Sequence, residues 1–165
     1  MSPKQFRNKI SPPLDSREHG ALINAICEYF TAHFAPGSAL VYARDTHGKP
    51  SHCNEALLAQ LSVTVAAHNQ LPDVVLNDPS NNRLFLVQTI YGNGPMHAER
   101  RKELARLFKN ATQHLIYVTA FPDRAIMARH VLDIAWETEA WAANEPAHLT
   151  HFDGNRLLGP YSKTA

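Results

Sequence analysis

The apolar positions of this chain follow two rhythms. Leu22, Ile23, Ile26, Tyr29, Phe30 and Phe34 recur at three- and four-residue spacings. That period winds one apolar stripe along a helix. The helix begins after Ser16 and is stopped by Pro36-Gly37. Shorter apolar runs without helical period read as buried strands: residues 39–43, 62–65, 71–76, 83–88 and 115–120. Between them the pattern predicts a helix over 55–61, a basic helix over 98–108 and a helix over 124–136 that extends toward Trp141. The tail 147–161 alternates in short stretches around Asp153-Gly154, a turn signal. Residues 1–15 are polar, with Pro3, Pro12 and Pro13, and read as a flexible N-terminal arm. Residues 16–165 then form one domain, long enough for a real core. Helices alternating with apolar strands give an α/β class with a mixed central sheet flanked by helices.

Composition narrows the field. Sixteen Lys and Arg against fifteen Asp and Glu give a net charge of +1. Attraction to nucleic acid must therefore come from a local basic patch. Cys27 and Cys53 have neither metal-ligand spacing nor a disulfide framework around them, so they read as reduced thiols. No run is long and apolar enough to span a bilayer. The basic residues near the N-terminus lack the apolar run of a secretory signal. The expectation is a soluble, cytoplasmic protein with no membrane partner. Ten histidines invite a zinc reading. His148 and His151 lie in a strand-like tail, however, and no Cys/His set has structural zinc spacing, so no zinc is expected. There is no Gly-rich phosphate loop followed by Lys-Ser/Thr, and no Gly-x-Ser-x-Gly elbow.

The chemistry concentrates on two adjacent strands. Pro72-Asp73 opens the first and Gln88 closes the second. Paired strands can hold those two groups beside one metal ion. Mg²⁺ takes octahedral oxygen ligands and keeps several waters, and it stabilises charge on phosphate oxygens. Asp73 is the first candidate ligand and catalytic residue. Gln88 offers a neutral oxygen and cannot act as a base. Asp45, after a strand end, and Glu28, among apolar neighbours on the first helix, are further acids that can reach the same cleft or lie at the core edge. Where a nuclease of this pattern often places Lys, two residues past Gln88, stands the apolar Ile90. Arg100, Arg101 and Lys102 open the basic helix just past Gly94-Pro95. With Arg44 and Asn93 they are the candidates for DNA contact, where phosphate contacts supply affinity and positioning. Trp136 and Trp141 read as core or interface aromatics rather than base-stacking groups.

Several ordered blocks carry a resemblance. They include Leu71-Pro72-Asp73-Val74-Val75-Leu76, Leu84-Phe85-Leu86, Gly94-Pro95 and Arg100-Arg101-Lys102-Glu103-Leu104. Further on come Val118-Thr119-Ala120-Phe121-Pro122-Asp123-Arg124, Ile134-Ala135-Trp136-Glu137-Thr138-Glu139, His151-Phe152-Asp153-Gly154 and Leu158-Gly159-Pro160-Tyr161. Together they make the chain resemble the nuclease domain of BsuBI/PstI-type restriction endonucleases, among the PD-(D/E)XK nucleases, over roughly residues 16–161. The resemblance implies a restriction-endonuclease-like fold, Mg²⁺-dependent cleavage of double-stranded DNA and homodimers acting on a palindromic site. It implies Asp73 as the metal-binding Asp. Gln88 falls where the family usually has Glu, and Tyr91-Gly92-Asn93 replaces its usual Thr-Ser-His. The family also implies an N-terminal DNA-binding region; here a short arm precedes the nuclease-like domain. Two functions follow: a site-specific deoxyribonuclease, or a catalytically inactive DNA-binding or interaction module on a nuclease fold.

Overall fold

The computed structural model describes residues 16–63, 67, 69–92 and 94–153. The predicted first helix has three parts: α1 (Ser16–Ala25), a π-helical turn (Ile26–Phe30) and α2 (Thr31–Phe34). Seven strands follow, interleaved with short helices: β1 (Ala39–Arg44), β2 (Pro50–Cys53), α3 (Glu55–Gln60), β3 (Val74–Asp78), β4 (Arg83–Thr89), α4 (Ala98–Leu107), β5 (His114–Phe121), α5 (Arg124–Arg129), β6 (Thr138–Ala142) and β7 (Leu149–Phe152). They form one mixed sheet in the order β2-β1-β3-β4-β5-β6-β7. The pairs β4–β5 and β5–β6 are parallel and the others antiparallel. The parallel step from β4 to β5 needs a crossover, and α4 supplies it.

Helices cover both faces, which is why the central strands read as unbroken apolar runs. On one face Leu22, Ile26 and Phe30 pack against Val74, Leu76, Phe85, Val87 and Trp141. Phe30 meets Phe85 and Trp141 edge-on, with ring centroids 5.5 and 5.6 Å apart, a favoured aromatic geometry. On the other face Leu58, Leu104 and Phe108 pack against Val75, Leu84, Leu86 and Tyr117. Trp141 is fully buried, as its core reading requires.

Three elements depart from the pattern. No strand begins at Ser62: the N–H groups of Leu61, Ser62 and Val63 close back on the carbonyls of α3, and Ser62 is left-handed at φ 57°. The rest of that predicted strand, residues 64–65, lies outside the described residues. Strand β2 was invisible because it is an exposed edge led by Pro50, without apolar alternation. The helix expected over 124–136 ends at Arg129. Leu132 and Trp136, which extend its apolar period, are 98% and 69% exposed, so that stripe meets no core. Trp141 belongs to β6 instead. The free cysteines agree with the thiol reading. The N-terminal arm and the tail after Asp153 lie outside the described residues.

Candidate active site

The site sits where β3 begins and β4 ends. The last antiparallel pair there is Val74 with Val87, and one further step sets Asp73 opposite Gln88. Asp73 is 2% exposed. Its Oδ2 accepts hydrogen bonds from the Thr89 backbone N–H at 2.8 Å and from Thr89 Oγ1 at 2.9 Å. Its Oδ1 lies 3.6 Å from His19 Nε2, on α1. Burial alone would raise the Asp73 carboxyl. The His19 imidazole and the two Thr89 donors outweigh burial and hold it below the usual carboxylate value. Asp73 is therefore a carboxylate at neutral pH, although buried.

Gly92 leaves room beside it. A Cβ at this position would stand 3.0 Å from Asp73 Oδ2 and 3.2 Å from Oδ1. The missing side chain thus keeps clear a space against both oxygens. A buried carboxylate held ionised beside such a space fits one ligand position of a hard cation.

Gln88 is bound differently. Its Oε1 accepts from Arg100 Nε at 2.8 Å and its Nε2 donates to the Gly94 carbonyl at 2.8 Å. A cation already faces the oxygen that a metal would use. Arg100 also donates from Nη2 to the Leu71 carbonyl at 3.2 Å and pairs through Nη1 with Glu103 Oε2 at 3.2 Å. Arg44 Nη2 reaches the same Leu71 carbonyl at 2.8 Å. Two guanidinium groups therefore converge on the residue two before Asp73.

The other candidate residues are dispersed. Arg100 is 6% exposed with Nε, Nη1 and Nη2 all engaged. In this structure it braces the protein interior. Asp45 closes its own turn, with Oδ1 accepting from the N–H groups of His47 and Lys49, both at 2.8 Å. Glu28 is exposed on the π-turn, pointing away from the core despite its apolar neighbours in sequence. The four expected ligands therefore do not assemble. Among the described residues, no group of three His, Cys, Asp or Glu is placed to hold a metal. Arg101 pairs with Glu137 Oε2 at 2.9 Å and lies 5.1 Å above the Tyr117 ring. Lys102 is exposed and pairs with Glu99 at 3.1 Å. Asn93 lies outside the described residues. Ile90 is buried in an apolar cluster with Phe121, Met127 and Ile134.

His19 and Thr89 escaped the sequence reading. For His19 a signal existed. The stripe Leu22, Ile23, Ile26, Phe30, continued back one turn, lands on it, which places a polar ring on a buried face.

A mixed seven-stranded sheet between helices, with a buried acid where its strands begin and end, defines a domain of the restriction-endonuclease-like class. The chain belongs to the BsuBI/PstI restriction endonuclease domain family, whose model matches residues 3–155. It is 46% identical over 144 residues to the type II restriction enzyme BsuBI of Bacillus subtilis, which covers 87% of this chain and 46% of that protein. It is 29% identical over 146 residues to the type II restriction enzyme AplI of Arthrospira platensis, covering 84% of this chain and 45% of the relative. The solved structure of the SdaI restriction endonuclease superposes with a TM-score of 0.80 at 36% identity, over 92% of this chain and 47% of that one. The chain thus spans about half the length of the relatives it matches. Among the described residues, no helix is long and apolar enough to cross a membrane.

Proposed function

We propose that residues 16–165, preceded by the arm 1–15, form the nuclease domain of a site-specific restriction-type endonuclease, hydrolysing phosphodiesters of double-stranded DNA. The observation that carries this reading is Asp73: ionised, buried and beside the position that a Cβ at Gly92 would fill, in a member of a restriction endonuclease family. Mg²⁺ would be held through Asp73, where it would supply positive charge to phosphate oxygens and acidify water. Thr89 and His19 fix the carboxylate. Arg101 and Lys102 lie on α4 with side chains partly in solvent, where they can steer the phosphate backbone, with Arg44 and Asn93 as further contacts. A homodimer would match the two-fold symmetry of a palindromic target, and a cytoplasmic location suits the role.

The test is cleavage of duplex DNA of varied sequence with Mg²⁺ or Mn²⁺. Cutting that Asp73→Ala abolishes supports the reading. DNA that is bound but left uncut, with either metal, counts against it.

One observation favours a second reading, a catalytically inactive DNA-binding or interaction module. Gln88 offers no charge, and its oxygen is occupied by Arg100. If the wild-type domain is silent while Gln88→Glu cuts, the fold is competent and the chemistry was lost at that side chain.

A further inference from the structure

The one polar ring on the buried face of α1 lies outside the blocks that carry the family resemblance. His19 lies one turn before Leu22 and Ile23 and is 8% exposed. Buried polar groups are the informative exceptions in a core. Its Nε2 faces Asp73 Oδ1 at 3.6 Å. Its Nδ1 is buried without a hydrogen-bond partner among the described residues. A leucine would continue the stripe with no unsatisfied nitrogen. The histidine instead costs desolvation at Nδ1, and what it gains lies at Asp73.

That carboxylate is gripped unevenly. Thr89 supplies two donors, both to Oδ2. Oδ1 has only the imidazole beside it among the contacts described, while the position a Gly92 Cβ would take lies against both oxygens, 3.0 Å from Oδ2 and 3.2 Å from Oδ1. Without His19, only the Thr89 bonds to Oδ2 resist rotation about the Cβ–Cγ bond, a terminal torsion that is intrinsically broad. The lone pairs of Oδ1 would then be spread over more directions. With His19 present they are set toward one.

From this geometry we infer that His19 is a positioning residue: from the Oδ1 side it fixes the rotation of the Asp73 carboxylate beside Gly92 and so sets how tightly that carboxylate holds a divalent cation. The inference rests on the metal-dependent reading given above. Groups that orient a ligand from behind commonly change metal affinity ten- to a hundredfold when removed, roughly as much as a weak ligand does.

The probe is Mn²⁺ alone, with the free ion followed by its paramagnetic resonance signal during titration of purified protein without DNA. Thermal unfolding of each variant without metal serves as the structural control. Asp73→Asn should abolish binding. His19→Phe should weaken it by about tenfold or more, and His19→Leu, which suits the helical stripe without a ring, should do the same. His19→Gln, which keeps an N–H donor, should recover most of the affinity, although its unfolding temperature need not exceed that of the apolar variants. Rescue by Gln without matching rescue of stability is the signature that a purely structural role would not give. Apolar variants that bind Mn²⁺ as wild type does would overturn the inference and leave the metal reading intact. A Gln variant as weak as the apolar ones would overturn it too. Wild-type protein that binds no Mn²⁺ would remove the metal reading itself, and the role of His19 with it.

Discussion

At the residue scale, the site is an acid with its surroundings chosen around it. Gly92 gives the sharpest prediction. In Gly92→Ala the new methyl would stand 3.0 Å from a carboxylate oxygen, so Asp73 must turn and strain its Thr89 bonds. Urea unfolding should show a loss of about 1–3 kcal/mol, the range for overpacking, and single-turnover cleavage should fall much further than stability does. A second prediction concerns acid. The folded-state value of the Asp73 carboxyl is depressed, so it adds stability that is complete above the unfolded value of about 4 and is lost as pH falls through the folded value. Asp78 behaves alike: burial raises it, and Arg83 and Asn81 more than compensate. Asp73→Asn should flatten the fall in stability below about pH 4, as read by urea unfolding across pH. A slope unchanged there would mean that Asp73 titrates normally. Asp73 and Gln88 were legible from their places at strand ends. The Gln88–Arg100 bond was not, because it joins β4 to a helix twelve residues on, and no local pattern encodes that meeting.

At the scale of elements, caps and turns decide what periodicity leaves open. Asn54 and Asp123 cap α3 and α5, accepting from the N–H groups of Leu57 and Ile126 at 3.1 and 2.8 Å. Helix α5 has six residues and cannot sustain itself. Asp123→Ala should therefore cost about 1 kcal/mol, in the usual range for a lost cap, visible as a drop of several degrees in thermal unfolding. The first helix and strands β1, β3, β4 and β5 were legible because their apolar positions face a core. Strand β6 was not legible as a strand because Ala140, Trp141 and Ala142 are all buried, and a run buried on both faces has no period to read. Just before it, Glu137 takes a left-handed φ of 61°, unusual for a residue with a side chain. Its ion pair to Arg101 holds the turn against α4.

At the scale of the whole molecule, a net charge of +1 spread over 165 residues gives no long-range pull on DNA. On the proposed nuclease reading, affinity for DNA would come from a few exposed cations such as Lys102. Lys102→Ala should weaken duplex binding about equally for all sequences and reduce the salt slope by about one, as measured by fluorescence anisotropy across salt concentrations. A loss confined to one sequence would assign Lys102 to base recognition instead. The α/β class and family were legible because ordered blocks extend over nearly the whole chain. The assembly of the site was not, since α1, β3, β4 and α4 converge only in three dimensions.

The π-turn at Ile26–Phe30 ties these scales together. A π-turn holds one residue more than an α-helical turn would, and each α-helical residue advances the screw by about 100°. Everything before the turn is thereby rotated relative to everything after it. The segment presents Phe30 to Phe85 and Trp141 on one side of the turn and His19 to Asp73 on the other. Deleting the exposed Glu28 alone would restore regular pitch, keep Phe30 in the core and swing His19 out of line. The angle at which the histidine meets the acid is thus set by a residue count in the helix as well as by the histidine itself.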